Sequence, residues 1–188
     1  EAAVGKEVFL TTLDMDYYGN IYAVDSKNSQ VHKFNPDLAF ITSQGKPGTK
    51  DYEFENPAGI AIYRHYGQIF VSDKESAQYF WIGSDAKDFR VKKIGQYEVQ
   101  FDFTLTEKGI ATIEVEGAVD ALNNTRNVTV VDKIILEQGK NSICWTVPEE
   151  HRETTLKIGG NYVVAMHLMA TYSSYPHIEK LIKAMLLL

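Results

Sequence analysis

Cysteine is almost absent: Cys144 is the only one, so no internal disulfide can form and pairing gives no sign of an oxidising compartment. It lies in the apolar run Ser142-Ile143-Cys144-Trp145-Thr146, which predicts an inert buried thiol rather than a nucleophile. No apolar run approaches the roughly 18 residues of a membrane-spanning helix. Clustered positive charge is missing too. The net charge is −6, and no lysine run exceeds the pair Lys92-Lys93, which argues against a nucleic-acid partner. The chain has no Gly-x-Ser-x-Gly elbow, no phosphate-binding Gly-rich loop and no Cys-x-x-Cys-His haem attachment motif. It opens Glu1-Ala2-Ala3 without an initiator Met, so a processed or longer parent polypeptide is expected.

What is present is a repeat. Asp16-Tyr17-Tyr18-Gly19-Asn20-Ile21-Tyr22-Ala23-Val24-Asp25 aligns without a gap on Arg64-His65-Tyr66-Gly67-Gln68-Ile69-Phe70-Val71-Ser72-Asp73, an offset of 67 − 19 = 48 residues. Gln30 and Gln78 fall in the same register. Short strands and Gly turns at such a period predict propeller blades of four strands each. In the first unit the expected strands are Thr11–Asp16, Ile21–Val24, Gln30–Phe34 and Leu38–Thr42. In the second they are Gly59–Tyr63, Gln68–Ser72, Gln78–Ile82 and Phe89–Ile94. Ile69, Phe70 and Val71 make the inner strand apolar on both faces, as a strand between neighbouring blades would be.

Phe54-Glu55-Asn56-Pro57-Ala58-Gly59-Ile60-Ala61, followed by Gly67-Gln68-Ile69-Phe70-Val71-Ser72-Asp73, resembles the NHL repeat. The first unit matches the core of that repeat but has Leu13-Asp14-Met15-Asp16 in place of the Pro-x-Gly opening. The resemblance covers roughly residues 8–94 and implies a propeller blade used as a binding platform, sometimes as an enzyme scaffold. Two blades leave two faces open, so either upstream blades or partner chains are expected to complete the ring; upstream blades are the favoured expectation.

From Gln96 the pattern becomes strict alternation. Val99, Phe101, Phe103 and Leu105 point one way, and Glu98, Gln100, Asp102 and Thr104 the other. Ala111, Ile113 and Val115 continue it, and this is the signature of an antiparallel sandwich with one wet face. Further strands are expected at Val128–Leu136, Ser142–Val147 and Tyr162–Thr171. Phe103 to Val115, Leu136 to Trp145 and Gly160-Asn161-Tyr162-Val163-Val164 resemble the Ig-like domain of the flagellar hook-capping (FlgD) type. That resemblance covers about residues 96–188 and implies a spacer or docking module. Trp145-Thr146-Val147-Pro148 stands where the family has a Trp-Asp-Gly turn. Residues 176–188 fit either a helix or a strand, and the family pattern favours a strand. The expected architecture is therefore all-β, with blades over residues 1–94 and a sandwich over 95–188.

Candidate chemistry is sparse. His32, His65, His151, His167 and His177 lack metal-ligand spacing, and His32 and His65 are expected to cap strands or face solvent. Asp14-x-Asp16-x-x-Gly19-Asn20 has the look of a calcium loop, but a hairpin turn bonding its own backbone explains it better. No catalytic, cofactor or metal residue is assigned. Tyr17, Tyr18, Tyr63, Tyr66 and Tyr79 are the candidate binding surface, since Tyr offers amphipathic contact area at low entropy cost. Asn123 and Asn127 head two N-x-Thr sequons and are candidate glycosylation sites. The functional expectation is a non-enzymatic, exported cell-surface protein that binds a protein partner or itself, with a glycan as second candidate ligand. The alternatives are a subunit of an extracellular filament or surface layer, and the C-terminal part of a propeller enzyme whose active site lies upstream.

Overall fold

The computed structural model describes residues 4–119, 125–152, 155–171 and 179–188. The protein is all-β and divides into two compact units, one running to Ile82 and the other starting at Gly83.

The amino-terminal unit holds two meanders. The first is β1 (Leu10–Met15), β2 (Ile21–Asp25), β3 (Gln30–Phe34) and β4 (Phe40–Gln44), antiparallel and in chain order. A short parallel bridge, β5 (Lys46–Pro47) with β6 (Glu53–Phe54), leads to the second. That meander is β7 (Pro57–Tyr63), β8 (Gln68–Asp73) and β9 (Ser76–Trp81). The 48-residue repeat is structural. Gly19 and Gly67 both take left-handed backbone (φ 81° and 66°) in the turn that enters the second strand of each meander. Asp25 and Asp73 both end that strand and tie back the chain that leads into the first. Asp25 accepts from Phe9 N–H at 3.1 Å, and Asp73 from Glu55 N–H at 2.9 Å and Asn56 N–H at 2.6 Å.

One apolar cluster joins the meanders: Tyr22, Val24 and Val31 from the first, Ile62, Ile69, Val71 and Phe80 from the second, with Phe54 and Ile82. Burying each large side chain of this set contributes about 1.5–3 kcal/mol. Asp14 on β1 reinforces the joint, accepting from Ile62 N–H at 2.8 Å and from the Arg64 guanidinium at 3.3 Å.

Several expectations are corrected here. The second meander has three strands, not four. Residues 89–93 belong to a strand of the other unit, because Phe89 and Val91 pack into the sandwich core, so the division falls after Ile82 rather than after residue 94. β8 is not buried on both faces: Ile69 and Val71 are buried while Phe70 between them is exposed, since a sheet packs against one side only. Gln30 and Gln78 are not equivalent in pairing. Gln30 lies opposite Asp25 but Gln78 opposite Val71, because the hairpin after Asp73 is tighter and Ser76 takes the position across from that Asp. β4 starts at Phe40 because Leu38 is still in a left-handed turn (φ 63°).

The carboxy-terminal unit is a sandwich of two antiparallel sheets. One has the order β10 (Ala86–Lys93), β11 (Glu98–Leu105), β14 (Gly139–Thr146). The other has the order β13 (Thr125–Leu136), β12 (Gly109–Val119), β15 (Asn161–Ala170), β16 (Glu179–Leu187). Alternation sets the core: Val99, Phe101, Phe103 and Leu105 meet Ala111, Ile113, Val115, Val164, Met166, Leu168 and Leu186. The C-terminal segment is a strand from Glu179 on, because Leu186 and Leu188 fill this core while β16 completes the ladder with β15. Cys144 is exposed, not buried: it lies on the outer face of β14, while its neighbours Ile143 and Trp145 pack on the core.

Candidate functional site

Strand register places nine residues on the outward face of the β7–β8–β9 sheet. The rows are Tyr63, Gln68, Trp81; Ala61, Phe70, Tyr79; and Gly59, Ser72, Ala77. None of the nine is charged, in a chain with 23% charged residues. Small residues at Gly59, Ala61, Ser72 and Ala77 leave the rings standing above the sheet. Tyr63, Phe70 and Tyr79 are 53%, 45% and 48% exposed. Phe70 and Tyr79 lie 4.8 Å apart between ring centroids, tilted by 34°, and Tyr79 meets Trp81 edge-on at 5.6 Å. The Gln68 amide donates to Tyr79 Oη at 2.9 Å and holds that ring in place. At the rim, Tyr66 packs against Tyr63 at 5.4 Å and His65 at 4.3 Å.

Repeat equivalence says what this face is. Phe70 is the counterpart of Tyr22 at the 48-residue offset. Tyr22 is 6% exposed because the second meander covers its face of the first. The same kind of face, one repeat later, is open.

Three of the five candidate tyrosines thus come together: Tyr63 and Tyr79 on one sheet face, and Tyr66 in the β7–β8 turn at its rim. Tyr17 and Tyr18 pack edge-on at 5.3 Å in the turn between β1 and β2. Phe70, at the centre of the face, and Trp81, at one corner, were missed. Their signal was the alternation Gln68-x-Phe70-x-Ser72 and Tyr79-x-Trp81, masked by the apolar neighbours Ile69, Val71 and Phe80.

The second constellation is polar. His32 is fully buried, contrary to expectation. Its Nε2 lies 3.0 Å from Asp25 Oδ2 and its Nδ1 2.7 Å from Ser43 Oγ. A carboxylate only accepts, so Nε2 carries the proton, and in the neutral ring Nδ1 accepts from the Ser43 hydroxyl. The residue types are those of a nucleophile, a base and an acid, but the fold occupies their bonding capacity. Asp25 also accepts from the backbone N–H groups of Phe9, Lys27 and Asn28 and from the Asn28 amide. Its burial pushes its pKa up, but the Asn28 amide, the Phe9 N–H, His32 and the Asn28 N–H together pull it down to about 2. The cluster pins the β2–β3 hairpin to the incoming chain and to β4.

The Asp14 and Asp16 carboxylates also receive N–H groups. Asp16 accepts from Tyr18 N–H, Asn20 N–H and the Asn20 amide, as a turn does. Among the described residues no group of three or more His, Cys, Asp or Glu is placed to hold a metal ion. No helix of the described residues is long and apolar enough to cross a membrane. Asn127 is exposed on β13, its amide donating to Glu114 at 3.0 Å, and Asn123 lies outside the described residues. An open groove of about 420 Å³, lined by Thr49 to Tyr52 and Ser76 to Phe80, adjoins β9. No family model and no curated protein matches the chain.

Proposed function

We propose that the chain is a non-enzymatic binding or assembly scaffold of a cell surface. In this reading the two meanders are NHL-type blades offering an interaction face, and the FlgD-type Ig-like sandwich is a spacer or docking module. The observation that supports it is the uncharged aromatic face built on Tyr63, Phe70, Tyr79 and Trp81. Contiguous exposed apolar patches rimmed by polar residues mark interaction sites, and Tyr and Trp are enriched where such sites carry binding energy. The polar cluster at His32 supports the non-enzymatic part, since His32 and Asp25 are both fully buried and out of reach of a substrate.

The test is oxidative footprinting of the protein recovered in its native particle, compared with the purified chain. Protection of Tyr63, Tyr79 and Trp81 in the native particle, with Tyr17 labelled equally in both, is the expected result. Equal labelling of all four removes the face from any interface and overturns the reading.

A further inference from the structure

The joint between the two meanders has two unlike halves, and the chain leaves a second version of each half uncovered. The inserted half is the Ile62, Ile69 and Phe80 row of the second meander, with Ile60 beside it; the receiving half is the Tyr22 and Val24 side of the first. Strand register carries the inserted half over to the first meander. Met15 lies opposite Ile21 and Ile21 opposite Phe34, as Ile62 lies opposite Ile69 and Ile69 opposite Phe80. Leu13, opposite Ala23, holds the place of Ile60, opposite Val71. Leu13 and Met15 are 65% and 40% exposed. The receiving half recurs as the Phe70 face. We propose that copies of this chain associate head to tail, the Leu13, Met15, Ile21 and Phe34 face of one seated on the Phe70 face of the next, and close into a small ring. The proposal rests on the blade reading and names its partner.

What selects a second copy is that the two free halves depart from the internal joint in matching ways. Within the chain the joint is clamped by polar groups: Asp14 accepts from Ile62 N–H at 2.8 Å, and the Thr12 hydroxyl donates to Ala58 O at 3.3 Å. On the free receiving face Ala61 stands where the first meander has Asp14, and Gly59, two residues earlier, where it has Thr12. On the free inserted face the donor is spent as well, because Met15 N–H, the counterpart of Ile62 N–H, already bonds the Asp14 carboxylate at 2.7 Å. Acceptor and donor of the clamp are thus lost together. Size changes to match: Gly59 and Ala61 leave a hollow beside Phe70, and Leu13 and Met15, unbranched at Cβ, reach farther than Ile60 and Ile62 to fill it. Faces that meet different partners have no reason to change together. A joint of unlike halves leaves one of each open on every copy, so it propagates until the ends meet. Propellers close with about four to eight blades, so two meanders per copy give a ring of about two to four copies. A single joint is weak, with a dissociation constant on the order of 100 μM, but the last joint of a ring forms within the particle at an effective concentration of roughly 1 mM or more. Rings therefore assemble cooperatively, and the chain is monomeric at about 5 μM.

The experiment is sedimentation of the full chain from about 5 μM to 1 mM, with Met15→Glu, Phe70→Glu and Ile135→Glu variants, the last an exposed position on the other unit. Met15 and Phe70 are exposed, so circular dichroism should show both variants folded. The expected result is a closed particle of about two to four copies that Ile135→Glu leaves intact. Met15→Glu and Phe70→Glu each weaken assembly at least about 100-fold. Mixed one to one, they form a heterodimer and nothing larger, because the intact inserted face of the Phe70 variant still fits the intact receiving face of the Met15 variant. That rescue also shows that neither variant fails by misfolding. A chain monomeric at 1 mM, an assembly that Met15→Glu leaves intact, an open-ended polymer, or a mixture without heterodimers overturns the proposal. Protection of the Phe70 face in the native particle alongside a purified chain that stays monomeric at 1 mM sinks the ring of copies but leaves the binding reading standing. Loss of both sinks that reading as well.

Discussion

Replacing Asp25 should loosen the first meander selectively. Its carboxylate takes N–H groups from Phe9 (3.1 Å), Lys27 (3.1 Å) and Asn28 (3.3 Å), the Asn28 amide (2.6 Å) and His32 Nε2 (3.0 Å). These bonds hold its pKa at about 2 against an ordinary 3.8. At 1.36 kcal/mol per pH unit, that depression corresponds to about 2 kcal/mol of folding stability. The sign follows from the direction: a depressed carboxylate contributes fully above its unfolded pKa and loses that contribution as pH falls through the folded one. The stability is therefore complete above about pH 4 and drains away towards pH 2. Asp25→Asn keeps one acceptor oxygen but loses the charge, and should cost about 2 kcal/mol at pH 7. Asp25→Ala also strands the buried His32 N–H and should cost about 3–5 kcal/mol. Hydrogen exchange read by mass spectrometry resolves the two units. Protection of peptides within 21–34 should fall roughly 30-fold in the Asn variant, with peptides within 98–105 unchanged. The variant should also lack the wild-type loss of protection between pH 4 and 2. If 21–34 stays within threefold of wild type, or both proteins lose protection alike on acidification, the carboxylate does not hold the hairpin.

Three further outcomes are expected. Asp14, partly buried but held below the usual carboxylate range by the Ile62 and Met15 N–H groups and Arg64, links the two meanders, so Asp14→Ala should lower the stability of the amino-terminal unit by about 1–2 kcal/mol in urea unfolding at pH 7, and that difference should shrink as pH falls below 4. Gly45 has φ 103°, and a Cβ there would sit 2.6 Å from the buried Phe54 ring and 2.8 Å from Ser29 O, so Gly45→Ala should cost at least about 3 kcal/mol by the same assay; a near-neutral change would show that the β4–β5 corner is not packed as described. Cys144, exposed on β14, should react with a membrane-impermeant maleimide in the folded chain at the rate of a free thiol, and on intact producing cells if the protein is displayed outside; protection of the purified chain would contradict its outward placement.

The sandwich was the more legible half. One face of each strand is apolar and one polar, so Val99 through Leu105 fix both register and burial by period two alone. The meanders were legible as a repeat but not in their environments. Ile69, Phe70 and Val71 read as a strand buried on both sides, and nothing local distinguishes that from a strand whose second face is aromatic and open. The strand at Ala86–Lys93 was drawn into the wrong unit because its partner, β11, follows it in sequence and the spacing suited a fourth blade strand. Asp25, His32 and Ser43 sit on three strands, brought together only by the β2–β3 and β3–β4 pairing, so no motif announces them. Cys144 failed differently: an apolar run around a thiol suggests burial, but on a strand alternate positions decide, and Ile143 and Trp145 took the inner ones.

The composition of the two faces of β7–β8–β9 bears on how permanent its cover is. The face turned to the first meander is mostly aliphatic, with Ile62, Ile69 and Val71 beside Phe80, and all four are buried. Aliphatic side chains suit an interface that never opens, because nothing in them is satisfied by water. The outer face has Tyr63, Tyr79 and Trp81 around Phe70, rings with a polar handle that tolerate water when uncovered and still offer large apolar area when covered. Such a choice matches a surface that exchanges between the two states. A face built for a permanent neighbour would repeat the aliphatic set, and the contrast within one three-stranded sheet separates an internal joint from a reversible one. The same contrast gives a direction for engineering: Tyr79→Ile with Tyr63→Val would be expected to lower the solubility of the isolated chain, and a more soluble variant would count against the whole assignment of this face.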